Sequence, residues 1–376
     1  MFFQEKKTSG SLNINKMKSS FFDRLKSSTI NFSLGVVISC ILATAIKYSY
    51  DRYFCYIDPL SNLNSSEDHS EALYSGANDL IVVKQEEGHL KSSPLHVMVG
   101  KLENWETLSH SRQNKKAEIH VNGQKIDEIS VELGESGIAY LEGSEKTCKF
   151  TESQLEQMKL KYGHNQALLV IHDLDVRIPF SIFLYDQSTK VILTDIDGTI
   201  TKSDFRGFVG GQLGLDVHHE GVIELFHKVA QNGYVVIYLT ARPIALDLQT
   251  RKYLFEDLFK SDNKGSSYRL PQHPLFLTPA VMSEAAFSGA QEHIRVKTAT
   301  LQNLMNLFKH KSSIVSGAYG NKESDVEAYR NIGIPEEKIF IIDKRSQMIN
   351  IGTKQDTSYK KQAADVDNMY PNTSSI

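Results

Sequence analysis

Two carboxylates, Asp195 and Asp197, follow the apolar β-branched run 190–194 and precede a Gly198-Thr199 turn. A strand placed there ends at the carboxyl edge of a parallel sheet, where open α/β folds bind ligands, so both acids project into one crevice. Phosphoryl transfer to an aspartate needs that arrangement: one carboxylate attacks phosphorus while the other handles the proton of the leaving group. Asp and Gly are also ordinary turn residues, and an Asx-rich turn after a buried strand is the plainer alternative. Three companion segments, met in order downstream, favour the chemical reading.

The first companion is Tyr238-Leu239-Thr240-Ala241-Arg242-Pro243, again a strand ending in a hydroxyl residue. Thr240 either donates to a phosphoryl oxygen or caps the next helix, and one threonine can do both. The second is His293-Ile294-Arg295-Val296-Lys297-Thr298 at the opening of a helix. An ammonium at Lys297 would hold phosphate and aspartates together against their repulsion; a solvated surface lysine is the competing reading. The third runs from Gly317 to Asp325 as strand, glycine turn and helix start. Asn321 and Asp325 offer hard oxygen ligands four residues apart, and Mg²⁺ takes oxygen ligands while keeping waters and substrate phosphate. Asp195, Asp325 and Asn321 form the candidate cage, unless Asn321 serves only as a helix cap.

The elements that must position these residues alternate. Strands at 190–194, 234–239, 275–277, 313–316 and 339–342 are separated by helical patterns at 221–232, 244–255, 295–308 and 322–331. Such alternation implies right-handed βαβ units and a parallel sheet with helices on both faces. Upstream the pattern is different. Short β-type runs begin at 79, with Asn122-Gly123 as a hairpin turn, a helical stretch at 151–161 and strand character at 167–172 and 178–184. This block reads as a β-sandwich.

The chain has 376 residues and a net charge of −3, so no global basic field or zinc-finger pattern argues for nucleic acid as a partner. Cys40, Cys55 and Cys148 show no metal-ligand spacing and imply no disulfide framework. The mostly apolar run 30–46 would span about 25 Å as a helix, marginal against a hydrocarbon core of about 30 Å. Lysines and arginines precede it and a belt of Tyr48, Tyr50, Tyr53, Phe54 and Tyr56 follows. A retained membrane anchor is the expectation for residues 30–47; a buried helix and a cleaved signal are the alternatives. The expected domains are a basic mobile N-terminus at 1–29, the anchor at 30–47, a linker at 48–75 and the sandwich at 76–188. A catalytic domain follows at 189–350, and then a disordered tail at 351–376.

With its four segments in order, the C-terminal half resembles the haloacid dehalogenase superfamily. More closely it resembles the lipins, the Mg²⁺-dependent phosphatidate phosphatases. The wording Asp195-Ile196-Asp197-Gly198-Thr199-Ile200-Thr201-Lys202-Ser203-Asp204 is similar to the lipin first motif. So are Gln212-Leu213-Gly214, Thr240-Ala241-Arg242, Gln249-Thr250-Arg251 and Gly320-Asn321 with Asp325-Val326. The stretches Asp79 to Gln85 and Ser93 to Val97, with Gly100-Lys101-Leu102, resemble the N-terminal lipin region.

The resemblance implies a Rossmann-like catalytic domain packed on an immunoglobulin-like sandwich that both regions build. It implies hydrolysis of phosphatidate in membranes to diacylglycerol and phosphate, with Asp195 as nucleophile and Asp197 as general acid and then base. Thr199, Thr240 and Lys297 would bind phosphate, and Asp195, Asp197, Asn321 and Asp325 would surround Mg²⁺. Thr240 stands where lipins commonly have Ser, Ser324 where they usually have Asn, and Val217 where many have Trp. Lipins begin with an amphipathic helix, where this chain has its apolar run. The expected location is therefore an endoplasmic reticulum or nuclear envelope membrane, with the side open. A phosphatidate-binding module without turnover and a phosphatase for a soluble substrate are the other readings.

Overall fold

The computed structural model describes residues 75–99, 116–133, 139–141, 148–202, 218–258, 267–279, 290–309 and 313–373. The N-terminus 1–29, the segment 30–47 and nearly all of the linker lie outside them. The expectation of a membrane-anchored location is corrected: among the described residues no helix is long and apolar enough to cross a membrane. The longest of them, Ala290–Met305, has 16 residues and carries Arg295 and Lys297.

Among the described residues, the elements of the first half are nearly all strands. In chain order it contains β1 (Gly76–Ala77), β2 (Leu80–Lys84), β3 (Leu90–Ser92), β4 (Val97–Met98), β5 (Lys116–Val121), β6 (Gln124–Leu133) and β7 (Ala139–Leu141). Helix α1 (Glu152–Gln157), β8 (Gly163–Ile171) and β9 (Val176–Asp186) complete it. Seven strands form one sheet in the order β3-β2-β9-β8-β5-β6-β7, and β1 and β4 pair separately. The β5–β6 hairpin turns at Asn122 and Gly123, whose φ values of 49° and 82° lie in the left-handed region that Asn and Gly tolerate best. Alternation then sorts the side chains of β2 and β9. Leu80, Val82, Ile182 and Leu184 join the core of this sheet, whereas Ile81, Val83, Phe183 and Tyr185 pack into the core of the second half.

The second half contains β10 (Val191–Asp195), α2 (Val222–Gln231), β11 (Val235–Pro243), α3 (Asp247–Lys252), β12 (Leu275–Thr278), α4 (Ala290–Met305), β13 (Val315–Gly320) and α5 (Glu323–Asn331). After these come β14 (Ile339–Ile342), β15 (Met348–Asn350), β16 (Asp356–Thr357), α6 (Tyr359–Ala364) and α7 (Val366–Met369). The sheet order is β12-β11-β10-β13-β14-β15-β16. Its first five strands are parallel and β15 and β16 extend the edge antiparallel. Ile192, Val236, Tyr238 and Leu275 bury one face with α2, α6 and α7. Val191, Leu193, Val235, Ile237 and Phe276 bury the other with α4 and α5. The mixed α/β architecture with helices on both faces is the one the alternation implied.

Residues 351–373 depart from the expected disordered tail. Tyr359, Ala363, Val366 and Tyr370 are buried in the core that α2 faces. The Tyr319 hydroxyl meets those of Tyr370 at 2.5 Å and the Gln362 side chain at 2.8 Å. The apolar positions here recur at spacings of four, three and four among polar neighbours. Average polarity hid a helical stripe.

Two buried side chains tie the halves together. Asn78 donates to Leu277 O at 2.9 Å and accepts from Leu277 N at 2.7 Å. Asp79 accepts from Arg251 at 2.9 and 3.1 Å and from Ser181 N and Leu275 N at 2.9 and 2.8 Å. Arg251 also bonds Asp247 at 2.7 Å, and burial pushes the Asp247 carboxyl up to about 7 against the pull of that arginine.

His273, just before β12, accepts a hydrogen bond from Val236 N at 3.0 Å on Nδ1, and burial lowers its pKa to about 4. The unfolded chain takes up a proton near 6.5 that the folded chain refuses. This contribution to stability is therefore complete above pH 6.5 and is lost as pH falls toward 4. The expected result is that wild type and His273→Gln, compared by denaturant unfolding, converge by about 3 kcal/mol between pH 7 and pH 4. A constant gap would contradict it.

Candidate active site

Strand β10 is central, flanked in parallel by β11 and β13, so the carboxyl ends of all three open on one crevice. Asp195 ends β10 and is 8% exposed. The chain then turns back through hydrogen bonds from Thr199 N, Ile200 N and Thr201 N to Ile196 O. Gly198 sits in that turn at φ 88°, where a side chain would be strained. The Thr199 hydroxyl, buried, donates to Asp195 Oδ2 at 3.1 Å.

Lys297 reaches in from α4. Its ammonium donates to Asp195 Oδ1 at 2.8 Å and to Asp325 Oδ1 at 2.5 Å, bridging the two acids. Asp325, in the first turn of α5, accepts from Asn321 N and Lys322 N at 2.9 and 3.0 Å on Oδ2. Gly320 makes that approach possible, because a Cβ there would lie 2.5 Å from Asp325 Cβ. Burial pushes the Asp195 carboxyl up to about 7, with Lys297 opposing and Asp325 and Asp197 adding to the rise. Burial also opposes ionisation of Asp325, but Lys297 and the two backbone N–H groups outweigh it, and its pKa is lowered. Burial disfavours the Lys297 ammonium too, yet the charges of Asp195 and Asp325 raise its pKa well above the usual lysine value.

Asp197 belongs to a second group on the β11 side. It accepts from Arg242 Nε at 3.2 and 3.1 Å, from Arg242 Nη2 at 2.7 Å and from the Thr240 hydroxyl at 2.9 Å. Of the seven residues singled out in the sequence, Asp195, Thr199, Lys297 and Asp325 thus form one cluster. Asp197 and Thr240 form the adjoining one, and Asn321 contributes its backbone N–H to Asp325. Among the described residues no group of three or more His, Cys, Asp or Glu is arranged to hold a metal.

Sequence reasoning had no partner for Arg242 or Arg251; both turn inward, Arg242 to Asp197 and Arg251 to Asp79 and Asp247. It also missed two supports of the first-motif turn. His219, fully buried, bonds Gly198 O at 3.2 Å and the Ser346 hydroxyl at 2.8 Å, and the Tyr359 hydroxyl donates to Thr199 O at 3.0 Å. Their contacts span 21 to 160 residues, and no local pattern could have revealed them.

The family model described as LNS2 (Lipin/Ned1/Smp2) matches residues 146–371, and that of the lipin N-terminal conserved region matches residues 60–160. The chain is 33% identical over 232 residues to the human phosphatidate phosphatase LPIN1, covering 60% of this chain and 25% of that protein. It is 30% identical over 217 residues to phosphatidic acid phosphohydrolase 1 of Saccharomyces cerevisiae, covering 54% and 24%. The chain therefore spans about a quarter of the length of these curated relatives. A solved structure described as the cobalt-bound deoxy-D-mannose-octulosonate 8-phosphate phosphatase of Haemophilus influenzae overlaps 49% of this chain and 90% of its own. Its 14% identity and TM-score of 0.27 are too low to support any reading. The LNS2 match takes in more than half of the chain and the whole of both acid clusters, and on that match the chain belongs to the lipin family.

Proposed function

We propose that this chain is a Mg²⁺-dependent phosphatidate phosphatase, and the observation that carries the proposal is the pairing of Asp195 with Lys297 and Asp325 beside a separately held Asp197. Asp195 attacks phosphorus, the bond to the diacylglycerol oxygen breaks, and Asp197 supplies the proton that this oxygen needs. Asp197 then takes a proton from water, whose oxygen attacks the aspartyl-phosphate, releasing phosphate and restoring Asp195. Lys297 and the Thr199 hydroxyl hold Asp195 in position and offset charge on the transferred group. The relatives named as phosphatidate phosphatases support the lipid substrate.

The donor chemistry suits a hard divalent cation. Two buried carboxylates, Asp195 and Asp325, share one ammonium, so one negative charge is left over. Two protein carboxylates are too few to enclose a cation, which suits Mg²⁺, since it keeps several waters and takes substrate phosphate. Asp195 and Asp325 would hold it, and when bound it would supply the charge neutralisation that keeps Asp195 ionised beside a phosphate. The single apolar core shared by β2 and β5 to β9 supports an immunoglobulin-like reading of the first sheet.

The expected result is release of phosphate and diacylglycerol from phosphatidate in mixed micelles with Mg²⁺, falling at least about 100-fold with excess chelator. Equal turnover with chelator defeats the metal-dependent mechanism. No turnover in either condition favours a binding module, and activity confined to water-soluble phosphoesters defeats the lipid assignment.

A further inference from the structure

Arg242 lies two residues beyond Thr240, at the end of β11, and its role follows from what it touches. Its guanidinium grips both oxygens of Asp197, with Nε at 3.2 and 3.1 Å and Nη2 at 2.7 Å. From behind, Nη1 donates to the Thr250 hydroxyl at 3.4 Å, Thr250 is itself fixed to Leu246 O at 2.8 Å, and the Tyr253 ring stacks 5.5 Å from the guanidinium carbon. The backbone N–H of Arg242 donates to Thr240 Oγ1 at 3.1 Å, which aims that hydroxyl at Asp197. One residue thus sets both of the contacts that orient the carboxylate.

Burial separates the two partners. The Asp197 side chain is 16% exposed and that of Arg242 only 4%, so the acid reaches the crevice and the arginine does not. We infer that Arg242 is a positioning residue, a planar clamp that fixes the carboxylate of Asp197 toward the leaving oxygen and, in the second step, toward water. The inference rests on the proposed role of Asp197 as acid and base. A planar fork presenting two parallel N–H groups fixes the plane of a carboxylate, whereas an ammonium in the same place supplies charge without direction. Loss of direction at a proton-transfer group falls on the rate of reaction and leaves substrate binding alone.

The test is a cycle of wild type, Asp197→Asn, Arg242→Lys and the double variant. Each is assayed on phosphatidate for kcat and KM and melted in the absence of substrate. The expected result is that Arg242→Lys lowers kcat about 100-fold with KM within about twofold, and that the double variant is no slower than Asp197→Asn alone. A rise in KM at unchanged kcat, an unchanged kcat, or losses that multiply in the double variant would each overturn the inference. Should Arg242→Lys not fold, Arg242→Gln in the Asp197→Asn background leaves no charge unpaired and gives the same comparison. If wild type does not turn over phosphatidate, the proposed function fails, whereas the melting cycle still decides the clamp. Losses in melting temperature that simply add show that residues 197 and 242 are uncoupled and overturn it.

Discussion

Asp195→Asn, made in the full chain, is expected to lower phosphatidate hydrolysis by roughly 10⁴- to 10⁶-fold, the scale at which loss of a nucleophile is measured in other enzymes. The amide has nearly the shape of the carboxylate but cannot accept a phosphoryl group to form the intermediate. The fold should survive, for a reason visible in the cluster. Asp195 is the less stabilised of the two acids on Lys297, since burial raises its pKa to about 7 while that of Asp325 is lowered. Removing its charge leaves one ammonium paired with one carboxylate, and Asp325 keeps the N–H groups of Asn321 and Lys322. The variant should melt at or above the wild-type temperature when no metal is added. An inactive protein that also melts several degrees lower would show that the loss of turnover came from damage to the fold. Activity within tenfold of wild type would remove Asp195 from the nucleophile's role.

The parts of this site that were legible in the sequence are those that a local pattern encodes. Asp195 and Asp197 stand at the end of an apolar β-branched run, and a strand that ends there can place them only at the sheet edge. Gly320 and Asp325 lie in a strand–turn–helix segment whose tight approach only glycine permits. Partnerships made across the fold left no such trace. Arg242 reads as one more basic residue until β11 is set beside β10, when it faces Asp197 across 45 positions. Arg251 meets Asp79 across 172. The tail was misread for a related reason: Tyr359, Ala363, Val366 and Tyr370 bury a narrow stripe under a polar surface, and the stripe has meaning only once α2 supplies the opposite wall. Residue type and spacing therefore announced which acids gather at the sheet edge, and tertiary pairing decided which charges face inward.

Lys297→Met is expected to be the most destabilising single change in the site, by about 3 to 5 kcal/mol near pH 8. The methionine fills much the same volume, so the loss is electrostatic: Asp195 and Asp325 would face each other in a buried place with no cation between them. The sign of the pH dependence follows. Asp195 already has a folded-state pKa far above its ordinary 3.8, and removal of the ammonium, which opposes that rise, pushes it higher still. A carboxyl raised in this way destabilises the fold as pH climbs from its unfolded value through its folded one, and the penalty fades once the group is protonated. The deficit of Lys297→Met against wild type should therefore be largest above pH 7 and shrink toward pH 5, as followed by denaturant unfolding without metal. Asp195→Asn in the same chain should recover about 2 kcal/mol at pH 8, because it removes one of the two opposed charges. A deficit of equal size at both pH values, or one that the second substitution leaves unchanged, would mean that Lys297 contributes packing alone, and its place as the cation that holds the acids together would be lost.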